Sequence, residues 1–363
     1  MVDMSPYIDA KLYDPNVGDA ARVEAMLVWL EELGWNAETI LARLDSATLD
    51  ELADREGIRD VSEFTNDQAA AALGKSLDEF QRLRRTVGLS PRPEGQPEWT
   101  AKEIDGFAAL DASAQMFTED EVNYFARVLG SSLSRIADAA VSLFLVDLEG
   151  PLRERGGTEL DVVRLTLEVN EALSQLGASL DPMLRLQIDE ASRLRRAARD
   201  PDDDANLSRM AVGFVDLVGF TSFSEKHTIA EVGHLVRVFE ERAFDIVADR
   251  GGRVVKLIGD EVMFVAADAE VACEISIALI STFRDDHVAP RGGLAYGSLL
   301  ARGGDYHGPV VNLASRIADL AVSYELLATT DVAERCPDLA FEPAGRRQIK
   351  GFEEPVRLVS LSA

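Results

Sequence analysis

Apolar residues recur at intervals of three and four through most of the first 200 residues, which is the spacing of one helix face. Glycine or proline separates most of these stretches and marks the helix ends. The pattern predicts an all-α domain over residues 1–199, with a possible sub-boundary in the proline-rich stretch 89–99. The helices are expected at Ala21–Leu33, Ala37–Leu44, Leu77–Val87, Glu119–Val146, Leu160–Leu176 and Pro182–Arg199.

A different pattern begins after an aspartate-rich linker at residues 200–207. Short apolar runs of strand length now alternate with longer stretches of helical spacing. The order strand, helix, hairpin, helix, strand is that of a ferredoxin-like βαββαβ sandwich, in which helices cover one face of an antiparallel sheet and leave the other free. The expected elements are strands Met210–Leu217, Val254–Ile258, Val262–Ala266 and Gly293–Ala301, helices Ile229–Asp249 and Ala269–Phe283, and a two-residue turn at Asp260–Glu261. The predicted fold class is α+β, with an all-α domain followed by a ferredoxin-like domain over 208–363.

Charge and cysteine content exclude several classes of protein. The formal net charge is −27, with −17 over residues 1–200 and −10 over residues 201–363. Both halves repel a phosphate backbone, which argues against general nucleic-acid binding. Only Cys273 and Cys336 are present, so there is no disulfide framework and a reducing compartment is expected. The longest apolar run, Ala139–Val146, is too short to cross a bilayer, and we therefore expect a cytoplasmic protein without an integral membrane segment.

Two carboxylates are predicted to lie at the ends of neighbouring strands. Asp216 ends the first strand, and Asp260 lies at the turn of the following hairpin. Because the hairpin should pair beside the first strand, the two carboxylates can share a pair of divalent cations next to a triphosphate. Gly219 lets the backbone turn closely, and the amides of Phe220 and Thr221 at the helix start can point at phosphate oxygens. Taken alone, Asp216 is explained equally well as a helix cap.

Four further side chains offer charged and hydrogen-bonding groups. Lys256 lies in an otherwise apolar strand, where its alternative role is to cover the sheet with its aliphatic stem. Asp305 follows the strand Gly293–Ala301, and Asn312 and Arg316 lie four residues apart on one helix face. An amide and a guanidinium so placed can bind a sugar oxygen and a phosphoryl group. A cap or solvent contact is the alternative role for Asn312, and a surface ion pair for Arg316.

In this order and spacing, the clusters resemble the class III nucleotidyl cyclase catalytic domain over about residues 208–361. The resemblance rests on Phe214-Val-Asp-Leu-Val-Gly-Phe-Thr221, Lys256-Leu-Ile-Gly-Asp260, Asp305 seven residues before Asn312, Arg316 four residues after it, and the closing Ile349-Lys-Gly-Phe-Glu-Glu-Pro-Val356.

The resemblance implies a role for each of these residues. Two divalent cations, Mg²⁺ or Mn²⁺, would be bound at Asp216, Leu217 and Asp260. The base would be bound by Lys256 and Asp305, the ribose by Asn312, the α-phosphate at the transition state by Arg316, and the substrate phosphates at Gly219, Phe220 and Thr221.

The side chains themselves favour one base. Adenine offers an acceptor at N1 and a donor at N6, which match Lys256 as donor and Asp305 as acceptor. Guanine presents the opposite pattern and would leave both groups mispaired. ATP is therefore the expected substrate. In the expected reaction the ribose 3′-hydroxyl attacks the α-phosphorus and gives 3′,5′-cyclic AMP and pyrophosphate, so the protein is expected to be an adenylate cyclase.

The resemblance also implies that the metal aspartates and the other site residues come from different subunits. A homodimer through the catalytic domain would then hold two equivalent sites and a monomer none. The helical half resembles the regulatory domain of some actinobacterial pH-responsive cyclases in length and layout, so we expect it to control the dimer. All four histidines lie in the catalytic half, namely His227, His234, His287 and His307. A response to acid must therefore use these histidines or paired carboxylates. A lipid or other small molecule between the helices is the alternative input.

Other functions are compatible with the sequence. Guanylate cyclase activity remains open, and a diguanylate cyclase uses a similar two-metal core. Gly303-Gly304-Asp305 is similar to the diguanylate cyclase signature but does not lie at the central hairpin. A DNA-binding regulator with a silent cyclase-like dimerisation domain is suggested by a helix-turn-helix pattern in Thr65–Val87, which contains Arg82, Arg84 and Arg85. The acidity of the surrounding chain argues against DNA binding.

Overall fold

The computed structural model of the protein describes residues 2–44, 49, 62–91, 95–112, 116–199, 207–282 and 288–361. The chain forms two compact units, residues 1–184 and 185–363. Their boundary falls inside one continuous helix, Glu159–Ala197, whereas the sequence pattern places it at residues 200–207. Residues 200–206 of that predicted linker lie outside the described residues. The regulatory and catalytic roles of the two domains stay predictions.

The first unit is built from helices. Capping boxes begin four of the described helices: Thr65, Ser76, Thr100 and Thr118 each accept a hydrogen bond from the backbone three residues on, and their own N–H groups donate to a Gln or Glu side chain. The described helices are α1 Ser5–Asp9, α2 Ala20–Glu32, α3 Ala37–Leu44, α4 Asn66–Ala72, α5 Leu77–Thr86, α6 Ala101–Ala112, α7 Glu119–Leu143, α8 Gly150–Glu154 and α9 Glu159–Ala197, with a π-helical segment Phe144–Glu149 between α7 and α8.

Most predicted helices of this unit are confirmed to within a few residues, but two stretches differ. Leu160–Leu176 and Pro182–Arg199, predicted as separate helices, form the single helix α9, which continues through Pro182. Proline removes one backbone hydrogen bond, and the good helix formers that follow it, Met183-Leu-Arg-Leu-Gln187, carry the helix past that loss. The helix predicted to end at Val146 instead widens into the π-helical segment just before Pro151, which lacks an N–H group.

One aromatic cluster joins the residues on both sides of the predicted sub-boundary at 89–99. The rings of Phe80, Trp99 and Phe107 meet edge to face, with centroids 5.1 to 5.7 Å apart. The stretch 89–99 therefore does not separate two cores. Arg84, one of the three arginines of the suggested DNA-binding pattern, is only 3% exposed and donates to the carbonyl of Leu89. Its guanidinium is consequently inside the fold and not on a surface that could face DNA.

One helical stretch bears on the expected absence of a membrane segment. In the described part of the chain, the helical stretch Glu119–Glu154 is long and apolar enough to cross a bilayer, by length and composition only. The continuous run Ala139–Val146 underestimates the length of this apolar stretch. A membrane span needs about 20 predominantly apolar residues and tolerates small polar ones between them. Little of this stretch is buried. A single helix of this kind is weak evidence for a membrane protein, so the expected absence of an integral membrane segment is left without support.

The second unit contains an eight-stranded mixed sheet with the order β2-β3-β1-β4-β6-β8-β7, and β5 pairs with β4. Its first part has the βαββαβ order, which confirms the predicted α+β class. The elements are β1 Leu207–Val218, α10 Phe220–Lys226, α11 Ile229–Asp249, β2 Arg253–Ile258, β3 Glu261–Ala266, α12 Ala269–Thr282, β4 Ala289–Arg302, β5 Asp305–His307, α13 Pro309–Leu320, β6 Leu326–Thr329, α14 Thr330–Arg335, β7 Phe341–Arg347 and β8 Val356–Leu361.

Helices cover both faces of this sheet, so the prediction of one free face is wrong. On one face α11 and α12 pack on alternate residues of β1, while α13 and the last turns of α9 pack on the other residues of that strand. Gly293 allows the approach of α13, because a Cβ there would lie 2.3 Å from the amide nitrogen of Ala318. The predicted hairpin turn is also shifted by one residue: Gly259 and Asp260 form it, and Glu261 already pairs with Ile258.

Candidate active site

The two predicted metal aspartates lie at the ends of adjacent strands. Asp216 is near the C-terminal end of β1, and Asp260 occupies the turn between β2 and β3. β1 and β3 pair so that Asp216 lies opposite Glu261, the residue after Asp260. Gly219 follows β1 with a φ of 93°, and α10 begins at Phe220. The structure therefore brings together the strand end, the tight glycine turn and the helix start.

Arg291, which the sequence analysis missed, binds Asp216 directly. Its Nε and Nη2 donate to the two carboxylate oxygens at 2.7 and 2.8 Å, a bidentate ion pair. Its Nη1 donates to the main-chain carbonyls of Asp319 and Ala321 at 2.8 and 3.2 Å. Only 21% of the Arg291 side chain and 17% of the Asp216 side chain are exposed. A cation on the neighbouring strand β4 thus fixes the orientation of Asp216.

Carboxylates outnumber this arginine at the same end of the sheet. Burial, followed by the charges of Asp216, Asp319 and Asp260, raises the pKa of Glu261 to about 7. Burial and the charge of Asp216 also raise the pKa of Asp260. One guanidinium does not neutralise this cluster, and a divalent cation bound among the carboxylates would relieve their repulsion.

The available donors fit a hard divalent cation. Asp216 and Asp260 offer carboxylate oxygens, and Leu217, whose side chain is buried, offers its main-chain carbonyl. Within the described ranges, no group of three or more His, Cys, Asp or Glu residues is placed to hold a metal ion. Mg²⁺ usually keeps only one or two protein carboxylates in nucleotide sites and takes its other ligands from phosphate and water. The residues therefore fit the implied cations as ligands shared with a triphosphate.

Lys256 and Asp305, predicted to bind the base, form an ion pair. The Nζ of Lys256 lies 2.6 Å from Oδ2 of Asp305, and Oδ1 accepts from the amide of Tyr306 at 2.8 Å. Burial alone would raise the pKa of Asp305, but these two hydrogen bonds hold it below its usual value. The side chains are 39% and 34% exposed, so their outer edges can still meet a ligand.

Asn312 and Arg316 both lie on α13, as the spacing predicts. Asn312 is exposed. The Nη1 of Arg316 is buried and has no hydrogen-bond partner among the residues that the structure describes. A guanidinium in this condition retains donors for a ligand. The roles predicted for Asn312, Arg316 and the other site residues stay predictions.

Two residues of this site escaped the sequence analysis for different reasons. Arg291 is a single charged residue at the start of a glycine-rich apolar strand. A charged residue at an otherwise apolar strand start was the only signal in the sequence that could have indicated a role for it. Its partner Asp216 is 75 residues away, so the pairing register of β1 and β4 was needed to see the contact. Glu261 was assigned to the turn, although it is the first residue of β3.

Comparisons with known proteins place the chain in a family. The model of the adenylate and guanylate cyclase catalytic domain matches residues 204–361. An adenylate cyclase from Streptomyces coelicolor is 35% identical over 276 residues, which is 75% of this chain and 71% of that protein. The chain therefore belongs to the class III adenylate and guanylate cyclase family.

A further relative matches both halves of the chain. A pH-sensitive adenylate cyclase from Mycobacterium tuberculosis is 31% identical across 94% of this chain and 89% of its own length. Among solved structures, the adenylyl cyclase CyaB from P. aeruginosa has 22% identity and a TM-score of 0.40, and the match covers 43% of this chain and 95% of that one.

Proposed function

We propose that the protein is an adenylate cyclase, which converts ATP to 3′,5′-cyclic AMP and pyrophosphate. It acts as a homodimer with two shared sites, and its helical unit regulates it. The observation that carries the choice of ATP is the ion pair of Lys256 and Asp305 at 2.6 Å. A cationic donor beside a carboxylate acceptor matches the acceptor N1 and the donor N6 of adenine. Guanine has a donor at N1 and an acceptor at O6, so its donor would face the donor of the protein.

The names of the relatives agree with this choice. The Streptomyces coelicolor and Mycobacterium tuberculosis relatives are both named adenylate cyclases. The family also includes guanylate cyclases, so the family alone does not select the base.

The chain's own residues supply binding and charge stabilisation. Lys256 and Asp305 orient the base, and Asn312 donates to a ribose oxygen, so that the 3′-hydroxyl faces the α-phosphorus. Arg316 binds the α-phosphoryl oxygens and stabilises the charge that develops as pyrophosphate leaves. Asp216, Asp260 and the Leu217 carbonyl would hold the divalent cations. When bound, these ions supply Lewis-acid stabilisation of the triphosphate and a lower pKa for the attacking hydroxyl.

A shared site accounts for the separate surroundings of these groups within one chain. The cation that pairs with Asp216 is Arg291 from the same sheet. In the described residues, Arg316 makes no ion pair with either metal aspartate, and its guanidinium is packed against Gly351. In a two-fold dimer, the aspartates of one protomer would face Asn312 and Arg316 of its partner, and each dimer would have two equivalent sites.

The end of α9 supports regulation through the helical unit. Leu194 and Ala198 belong to the same apolar cluster as Tyr306, the neighbour of Asp305 in β5. The Nη2 of Arg195 donates to the carbonyl of Ala301 in β4 at 3.1 Å. A rotation or shift of α9 would therefore act on the hairpin that carries Asp305. A proton or a lipid bound in the helical unit is the proposed input.

The first test is incubation of the purified full-length chain with ATP or GTP and with Mg²⁺ or Mn²⁺. We expect cyclic AMP from ATP and much less cyclic GMP from GTP. The matched control is Arg316→Ala, which removes the phosphate-binding group and should abolish most of the product. Absence of cyclic AMP under all four conditions would rule out the proposed activity, and equal use of GTP would rule out the proposed base selectivity.

The regulatory proposal needs a separate comparison. The rate of the full-length chain and of residues 185–363 is measured between pH 5 and pH 8. If the helical unit senses protons, the two profiles should differ in shape. Profiles that run parallel over the whole range would show that residues 1–184 are not the sensor.

A further inference from the structure

The turn between β7 and β8 brings a glycine against the guanidinium of Arg316. Gly351 has a φ of 88°, and the amide of Phe352 closes the turn by donating to the carbonyl of Ile349 at 3.0 Å. A Cβ at position 351 would lie 3.3 Å from Nη1 and 3.9 Å from Cζ of Arg316. The guanidinium therefore lies so close to the turn that a Cβ at position 351 would crowd it, and the side chain of Arg316 would have to shift by a few tenths of an ångström.

The turn is fixed to the helix that carries Arg316. Ile349 is 3% exposed and packs in one apolar cluster with Ile317 of α13, and Phe352 packs against the same cluster. Two residues of the turn thus hold Gly351 at a constant position relative to α13. The position of Gly351 is set by this packing and by its left-handed backbone, which glycine adopts at the least cost.

Polar contacts do not hold the arginine in place. Among the described residues, Nη1 of Arg316 has no hydrogen-bond partner although it is buried, and the guanidinium makes no ion pair. Arginine side chains have many rotamers, and an unpaired one is ordered only by what it packs against. The backbone of Gly351 is such a packing surface.

We infer that Gly351 is a positioning residue for Arg316. The glycine lets the guanidinium lie directly on the turn, so its donors stay uncommitted and keep one direction until a phosphoryl group arrives. This inference rests on the proposed function, in which Arg316 stabilises the α-phosphoryl group. Gly351 itself touches no substrate, and its effect passes through the arginine.

The test compares Gly351→Ala with a matched substitution, Gly345→Ala. Gly345 lies in β7 and has a φ of 85°, so alanine there meets the same kind of backbone strain. A Cβ at position 345 would have its nearest contact 3.9 Å away, at Nη1 of Arg347, which is ordinary van der Waals contact. The two variants therefore share the strain, and only one of them crowds Arg316.

Steady-state rates of cyclic AMP formation and thermal unfolding are measured for both variants and the wild type. We expect similar decreases in Tm for both. For Gly351→Ala we expect kcat to fall by about 10- to 100-fold with KM for ATP within about twofold, because the arginine acts in the transition state. For Gly345→Ala we expect kcat within about twofold of the wild type.

A double variant, Gly351→Ala with Arg316→Ala, distinguishes the positioning of Arg316 from any other role of the turn. In an Arg316→Ala background, Gly351→Ala should lower the residual kcat no further, because the group it displaces is already gone. An equal loss in both backgrounds would overturn the inference, as would a Gly351→Ala variant with normal kcat. A wild type that forms no cyclic AMP would instead overturn the proposed function, and the inference with it.

A further variant covers the case in which Gly351→Ala does not fold. Asparagine tolerates the left-handed backbone better than alanine but still adds a Cβ, so Gly351→Asn should fold and retain the loss of kcat. If Gly351→Ala and Gly351→Asn both fail to fold while Gly345→Ala folds, the glycine is required for the fold and the positioning role is contradicted.

Discussion

The two units of the chain bury their apolar side chains to different degrees. In the catalytic unit, residues 185–363, apolar cores lie on both faces of the sheet. In the helical unit, residues 1–184, the long helices α7 and α9 leave large apolar side chains in solvent: Leu143 is 62% exposed and Met183 is 59% exposed. The others on these helices include Phe125, Leu133, Ile136, Val141, Leu173, Leu176 and Leu184.

The difference in apolar burial bears on how each unit folds, and it does not follow the division of the proposed site. The catalytic unit packs an apolar core on each face of its sheet, although its proposed site needs a second chain. The helical unit forms its cores around Tyr7, Leu30 and Phe80, and the apolar side chains exposed on α7 and α9 lie outside those cores. Packing within one chain therefore accounts for the sheet of the catalytic unit, whereas it does not cover the apolar side chains exposed on α7 and α9.

The largest expected effect concerns the divided site. Asp216→Ala and Asn312→Ala should each lower activity on the order of 10³-fold, because one removes a cation ligand and the other releases the ribose. Mixing equal amounts with subunit exchange should restore about a quarter of the wild-type activity, since half of the dimers then hold one intact site of two. The measurement is cyclic AMP formation before and after mixing.

A control distinguishes shared sites from simple exchange artefacts. Asp216→Ala mixed with Asp260→Ala should stay inactive, because both changes affect the same half of the site. If the first pair also stays inactive although heterodimers are demonstrated, each site belongs to one chain, and the proposal of a shared site is wrong.

The next effect concerns the choice of base. Lys256→Glu combined with Asp305→Asn reverses the donor and acceptor positions and should move the ratio of kcat/KM for ATP over GTP by about 10²- to 10⁴-fold toward GTP. The exposed Arg250→Gln on the same unit changes the net charge by the same amount as the double variant, serves as the control for that change and should leave the ratio unchanged. A double variant that keeps the wild-type ratio would mean that this ion pair does not contact the base.

A smaller effect tests where the catalytic unit begins. Leu194 and Ala198 pack on its sheet, so a fragment of residues 185–363 should be more stable than a fragment of residues 200–363. The apolar burial lost corresponds to about 2–3 kcal/mol, or about 5–10 °C in Tm for a fragment of this size. Equal Tm values for the two fragments would show that these turns of α9 are not part of the catalytic unit. The domain boundary would then lie in the linker at residues 200–207, as the sequence pattern indicates.

Local patterns predicted the elements of the catalytic unit because each element is determined by neighbouring residues. The strand that ends in Asp216, the turn after it and the helix that carries Asn312 and Arg316 all have strong local signals. The pairing of Asp216 with Arg291 had none, because it depends on which strands lie side by side. The three last strands of the sheet were not predicted, because their apolar runs are short and no chemical motif marks them.

The errors in the sequence analysis share a physical origin. One free sheet face was expected because the apolar pattern of a strand does not tell how closely a helix can approach it. Gly293 decides that approach by lacking a side chain. The break expected near Pro182 did not occur, because the residues that follow it favour helix strongly enough. In each case tertiary packing or the summed helix preference outweighed one local signal.

A last expected effect, on stability alone, tests the electrostatics of the carboxylate cluster. In the folded chain without divalent cations, the pKa of Glu261 is raised to about 7, so the folded state binds a proton that the unfolded state releases near pH 4.5. The free energy of unfolding therefore loses the Glu261 contribution as the pH rises from about 4.5 to about 7, and no more is lost above that range. Glu261→Gln removes this loss, so its stability relative to the wild type should increase over the same range and then level off.

The measurement is Tm of the two proteins from pH 5 to pH 8 in a chelating buffer, with the exposed Glu274→Gln on α12 as the matched control. The control should show a difference from the wild type that does not change with pH. Addition of Mg²⁺ or Mn²⁺ at pH 8 should stabilise the wild type, because a cation among the carboxylates offsets their repulsion. If the difference in Tm between Glu261→Gln and the wild type is constant over this pH range, the carboxylates are already neutralised in the folded chain. The catalytic unit would then need no bound cations to offset repulsion among these carboxylates.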